Sequence, residues 1–305
     1  MERSSQSLAA AITWAASTQT YFTIRFLVDR ERVSDAYRAY AYFRWLDDEL
    51  DRDGAQPAQR LAFVERQRAR MDALYSGRPV DPARLPQEHL LDELVYSDYE
   101  RNSGLQAYIR NMMAVMVFDA GRRGRLISAR ELTDYAGSLT LAVTEAMHYF
   151  IGHDDAAPRG RVRYLAVTAA HITHMLRDTL EDVPAGYYNI PREFLAVHGI
   201  LAGEMESPAY RAWVQDRVHL ARTYFKAGKA NLAHVKSLRC RLAGYAYTAR
   251  FETVLDVIER NDYRLQPSYP ECKTPLAGLR MLASALWQAL APARPALPAR
   301  RLPEA

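Results

Sequence analysis

Two acidic segments carry the side chains best suited to chemistry. DDELD sets Asp47 and Asp51 four residues apart, and RDTLED does the same for Asp178 and Asp182. Four residues is about one helical turn, so on a helix each pair shares a face. Stacked like charges repel by a few tenths of a kcal/mol on a bare helix, a cost relieved when a cation sits between them. Two facing pairs of this kind would hold magnesium and, through it, a diphosphate.

The residues around each pair sharpen this. Tyr37, Tyr40, Arg44, Asp47, Asp48 and Asp51 fall on one side of the first helix, a face too polar for core. On the second, His171, His174, Asp178 and Asp182 follow at three- and four-residue steps with Met175 on the same stripe, flanked by Arg177 and Glu181. A charge run is ordinarily a solvated helix face and a lone histidine ordinarily a satisfied one. Two histidines and two aspartates in register read instead as a metal face.

The elements that must position these residues are helices. Apolar residues recur every three or four positions along most of the chain, and alternating strand patterns with tight glycine hairpins are nearly absent. Expected helices run about 5–18, 31–51, 57–75, 88–96, 104–120, 129–151, 161–182, 207–236, 239–261 and 275–291. Breaks are expected at Asp53-Gly54, Gly77 to Pro79, Asp81-Pro82, Gly121 to Gly124, Pro158 to Gly160 and Pro184 to Gly186. The fold class is all-α: a single helical bundle over 1–291 around a central cavity, then a disordered Pro/Ala/Arg tail over 292–305.

Composition limits what the chain can do. The 305 residues carry a net charge of +4, half of it from Arg294, Arg300 and Arg301 against Glu304 in the tail. The remainder is too small for a nucleic-acid partner and suits an anionic small substrate. Cys240 and Cys272, the two cysteines, show no metal or disulfide spacing, which fits a reducing cytoplasm. No signal peptide is expected from the first 17 residues, and no apolar run reaches the roughly 20 residues of a membrane span. The last helix, LAGLRMLASALWQALA, has a wet side at Arg280 and Ser284 and serves either as a cap on the core or as a peripheral membrane contact.

At this point the chain resembles a known family. YAYFRWLDDELD at 40–51 and HITHMLRDTLEDVPAGYYNIPREF at 171–194 resemble the squalene/phytoene synthase family of head-to-head prenyl transferases. FETVLDVIERNDY at 251–263 looks like its late helix, and STQTYF at 17–22 like its hydroxyl-rich entry segment. The resemblance implies an isoprenoid-synthase-type fold that condenses two farnesyl or geranylgeranyl diphosphates and releases pyrophosphate, giving a squalene-, presqualene- or phytoene-type product. Carried over, it makes Asp47 with Asp51 and Asp178 with Asp182 the metal-binding pairs, with magnesium or manganese as the ion and His174 beside the second. Thr18, Thr20, Arg44 and Arg177 would bind diphosphate, and Tyr135 would line the pocket. A nicotinamide reductant is left open, and no G-x-G-x-x-G fingerprint is present.

The departures concern the product rather than the ionisation of the diphosphate. His171 and His174 stand where the family has Gln and Asn, and nitrogen ligands are ones magnesium disfavours. TLAVT at 140–144 replaces a stretch of small residues of the AGTVG type, and Tyr187 and Asn189 replace an Arg and a Tyr. Three other readings stand beside the first. One is cyclisation or other single-substrate prenyl-diphosphate chemistry on the same scaffold. Another is a non-catalytic assembly factor, against which both acidic motifs argue. The last is a di-metal bundle oxidase using Glu145 and His148, a pattern that normally needs a second ExxH. The sequence does not give the oligomeric state.

Overall fold

The computed structural model describes residues 2–52, 54, 56–83, 85–153 and 160–290. The 292–305 stretch, and Asp53, Pro158 and Arg159 of the expected breaks, lie outside them. The described residues form twelve α-helices and no strand. They are α1 (Glu2–Ala16), α2 (Thr18–Leu27), α3 (Val33–Leu50), α4 (Pro57–Tyr75), α5 (Glu88–Ser97), α6 (Gly104–Arg122), α7 (Ala129–Phe150), α8 (Leu165–Ala185), α9 (Arg192–His198), α10 (Pro208–Leu232), α11 (Leu238–Arg260) and α12 (Pro275–Leu290).

Ten of these match the expected helices, and three departures have local causes. The first expected helix stops at Ala16, because Ser17 takes an extended conformation and caps α2, its side chain accepting from the Thr20 N–H at 3.2 Å. α9, seven residues long, is too short to show a period. α8 runs through Pro184 to Ala185, and the chain turns only at Gly186, whose φ of 88° suits glycine.

The chain divides into two compact units, one of Met1–Gly121 with Leu141–Asp154, the other of Arg122–Thr140 with Asp155–Ala305. In the first, α3 packs against α1 and α5 over a core that includes Tyr42, Leu46, Leu90, Leu91 and Leu94, all fully buried. Burying each such leucine contributes about 1.5–3 kcal/mol. Gln67, buried in this core, is satisfied: it receives the Tyr42 hydroxyl at 3.2 Å and donates to Glu88 at 2.7 Å. Arg38, buried on α3, ties that helix to α5 through Glu93 at 2.7 Å.

In the second unit α8 lies along α10 and α11. The approach is closest at Gly228, where an added Cβ would stand 2.4 Å from the Ala166 backbone nitrogen. Ala169, Ala170, Ile172, Leu176, Tyr224, Phe225, Leu255 and Ile258 fill this core. α12 rests on α11. With α8 packed on one side, its other side is left to carry polar chemistry.

Candidate active site

The predicted residues of the first unit gather where the start of α2 meets the C-terminal half of α3. The Tyr40 hydroxyl lies in hydrogen-bonding range of Ser17 and Thr20, and the Thr20 hydroxyl donates to Ser17 at 2.9 Å. Thr18 is exposed at the first turn of α2. Arg44, one turn beyond Tyr40, pairs with Asp47 at 3.4 Å and with Asp48. Asp51 closes α3, its N–H bonding the Asp47 carbonyl at 2.9 Å. Burial first and the neighbouring Asp51 charge second push the Asp47 carboxyl up to about 6, against the pull of Arg44. Asp119, absent from the sequence reading, adds to the negative field on Asp47.

α8 carries the second group. Arg177 grips Asp178 with two bonds of 2.6 and 2.7 Å, and the His174 ring nitrogen Nε2 lies 2.7 Å from the same carboxylate. Burial works against ionisation of Asp178, but these cationic and hydrogen-bonding neighbours win and hold it well below the usual carboxylate range. Asp182 goes the other way. Burial and then the Asp178 charge push it up to about 6, although Asn189 donates to it at 2.9 Å.

Sequence reasoning missed one cation. Arg122, buried at the end of α6, donates to the Asn189 side-chain oxygen at 2.8 Å, so Asn189 bridges it to Asp182. Its guanidinium lies over the Tyr135 ring at 4.7 Å and the Tyr187 ring at 5.1 Å. Tyr187 and Asn189, the two departures from the usual segment, therefore hold this arginine. The pairing Gly124 N–H to Gly186 carbonyl, at 2.7 Å, sets the two loops in register. The only sequence signal was a basic run at a glycine-marked helix end, which also fits a solvated turn.

The other departures are buried. His171 is 5 % exposed, its ring 5.4 Å from Tyr135, and burial holds it neutral with its pKa down near 3. Thr140 and Thr144 are buried on α7, and neither hydroxyl has a partner among the described residues.

A divalent cation fits these donors. Asp47 and Asp182 each carry a carboxyl whose ionisation is held back by burial and by a second carboxylate one turn away, and a bound cation relieves that cost. Among the described residues no three His, Cys, Asp or Glu side chains form a cage. Magnesium typically takes one or two carboxylates and completes its shell with phosphate and water, so paired aspartates are the appropriate donors.

The family model for squalene/phytoene synthase matches residues 14–277, a span that contains both aspartate helices. The chain belongs to the squalene/phytoene synthase family. Within the family it is 26% identical over 262 residues to phytoene synthase 1 of Solanum lycopersicum, covering 82% of this chain and 60% of that one. It is 28% identical over 201 residues to the presqualene diphosphate synthase of Zymomonas mobilis, covering 65% and 64%. The chain thus spans somewhat under two thirds of the length of these relatives. In three dimensions it is similar to a dehydrosqualene synthase, with a TM-score of 0.67 at 18% identity over 93% of this chain and 96% of the other. At that identity the likeness establishes the helical fold of the family.

Proposed function

We propose that this protein is a prenyltransferase that joins two farnesyl or geranylgeranyl diphosphates head to head and releases pyrophosphate. The observation that carries this reading is the family match over residues 14–277, whose span holds both acidic pairs, with Asp47 and Asp182 each pushed up to about 6 by burial beside a second carboxylate. Magnesium bound at these aspartates would neutralise the charge that develops on a departing diphosphate.

The chain's own groups bind and orient. Arg44 and Arg177 are already poised on aspartates, and a phosphate can take either guanidinium fork in exchange. Thr18, Thr20 and Tyr40 present hydroxyls at the start of α2, where helix N–H groups favour an anion. Tyr135 offers a ring face that steadies positive charge, each such contact adding roughly 0.5–2 kcal/mol. Arg122 fixes the far side of that ring and, through Asn189, one oxygen of Asp182.

Both cysteines are free thiols, in keeping with a reducing cytoplasm. No described helix is long and apolar enough to cross a membrane. α12 instead leaves Leu276, Leu279, Leu282, Leu286, Trp287 and Leu290 exposed. The function proposed here makes lipids, and three arginines follow α12 in the sequence, so we assign that stripe to peripheral contact with a lipid surface.

The deciding assay supplies farnesyl and geranylgeranyl diphosphate with magnesium or manganese and measures pyrophosphate and lipid products separately. Coupled hydrocarbon or a cyclopropyl diphosphate is expected without added nicotinamide, while a cyclised or hydrolysed single chain would replace this reading. Asp178→Ala should reduce turnover by at least roughly a hundredfold, the scale of losing about 2.7 kcal/mol of transition-state stabilisation. Wild-type rates from that variant would contradict the role given to Asp178.

A further inference from the structure

We propose that Arg122 and Asn189 are positioning residues for the second aspartate pair and decide which oxygen of Asp182 meets a divalent cation. The inference rests on the function proposed above and adds these residues to it. Asn189 is buried between two side chains of opposite character. On one side Arg122 donates from Nη1 to its Oδ1 at 2.8 Å, and on the other its own Nδ2 donates to Oδ2 of Asp182 at 2.9 Å. A guanidinium has only donors and an ionised carboxylate only acceptors, so an amide set between them is satisfied in one orientation and in neither contact once flipped. Arg122 thereby fixes the direction in which Asn189 points its donor. The arginine is held in turn, buried with its guanidinium over the rings of Tyr135 at 4.7 Å and Tyr187 at 5.1 Å.

The two aspartates of the pair are left in different states. Both oxygens of Asp178 are taken, Oδ1 by Arg177 Nε at 2.6 Å and Oδ2 by Arg177 Nη2 and His174 Nε2 at 2.7 Å each. Asp182 is held by Oδ2 alone, and its Oδ1 has no hydrogen-bond partner among the described residues. Oδ1 is therefore the donor that a cation meets without first displacing a protein group. A carboxylate pinned by one oxygen offers the other in a set direction, which suits the near-octahedral geometry that magnesium demands. The connection that follows Arg122 braces the same place, with the Gly124 N–H on the Gly186 carbonyl at 2.7 Å and Arg123 donating to the Ala185 carbonyl at 3.0 Å.

The test measures binding of inorganic pyrophosphate by calorimetry over a series of magnesium concentrations, in wild type, Asn189→Ala, Arg122→Met and the double variant. Thermal unfolding without either ligand is run on each. Both single variants should need at least roughly tenfold more magnesium for half-maximal binding, the scale of removing an outer partner of a metal ligand. The double variant should need no more than the singles, because the two side chains act in series on one carboxylate. A merely structural role would lower the unfolding temperature and leave the magnesium midpoint where it was. That outcome, or losses that multiply in the double variant, would overturn the assignment. Asn189→Ala leaves Arg122 over its two rings, so it decides the question alone where the arginine variant does not fold. A wild-type protein that binds no pyrophosphate at any magnesium concentration would overturn the functional reading itself.

Discussion

Asp47 and Asp182 share one electrostatic problem, and it has a measurable sign. Each carboxyl titrates near 6 in the folded protein against 3.8 ordinarily. Between about pH 4 and 6 the folded state therefore holds protons that the unfolded chain has released, and these two groups make stability fall as pH rises through that window. Asp178, held below its ordinary value, works the other way. Its contribution is present above about pH 4 and is lost as the solution becomes more acid. A cation can occupy the pairs only when they are ionised, so magnesium binding near pH 6 should eject protons. Calorimetric titration in two buffers of different ionisation enthalpy should give binding heats that differ at pH 6 and converge at pH 8. Heats that match at both pH values would mean that these carboxyls do not meet the metal.

At the scale of elements, α12 departs most from the behaviour of a core helix. Ala285 and Ala289 are fully buried against the body, and Arg241 donates to the Ala289 carbonyl at 3.1 Å. The leucine stripe faces away, with Leu279 64% and Trp287 79% exposed. Substituting exposed side chains changes stability by no more than about 0.5 kcal/mol. Leu279→Glu combined with Trp287→Glu should thus leave thermal unfolding unchanged while cutting co-sedimentation with anionic phospholipid vesicles by roughly tenfold or more. Equal sedimentation of variant and wild type would remove the lipid assignment. α2 shows the same scale from inside: one serine closes off the first expected helix and caps a second that the sequence reading did not expect, which creates the hydroxyl-lined helix start beside Tyr40.

At the scale of the whole molecule, each aspartate pair lies in its own compact unit, Asp47 with Asp51 in the first and Asp178 with Asp182 in the second. Inorganic pyrophosphate with magnesium, at a hundred times its dissociation constant, should add about 2.7 kcal/mol to unfolding, a rise of several degrees in Tm. Asp47→Ala and Asp182→Ala should each abolish that rise if both pairs serve one ligand. A full rise in either variant, followed by thermal scanning, would show that the pairs act separately.

The sequence by itself determined what depends on near neighbours. Apolar recurrence identified ten helices, and four-residue spacing put Asp47 with Asp51 and Asp178 with Asp182 on shared faces, because helical geometry converts short spacing directly into position. His174 beside Asp178 was legible for the same reason. Tertiary structure decided what depends on distant partners. Arg122 reaches Asn189 across 67 residues, and the His171 ring is buried beside Tyr135 of α7. Which carboxyl is pushed up and which is held down was likewise settled by packing. Burial and charge act through space, and no spacing rule encodes which side chains the fold will bring to a given atom.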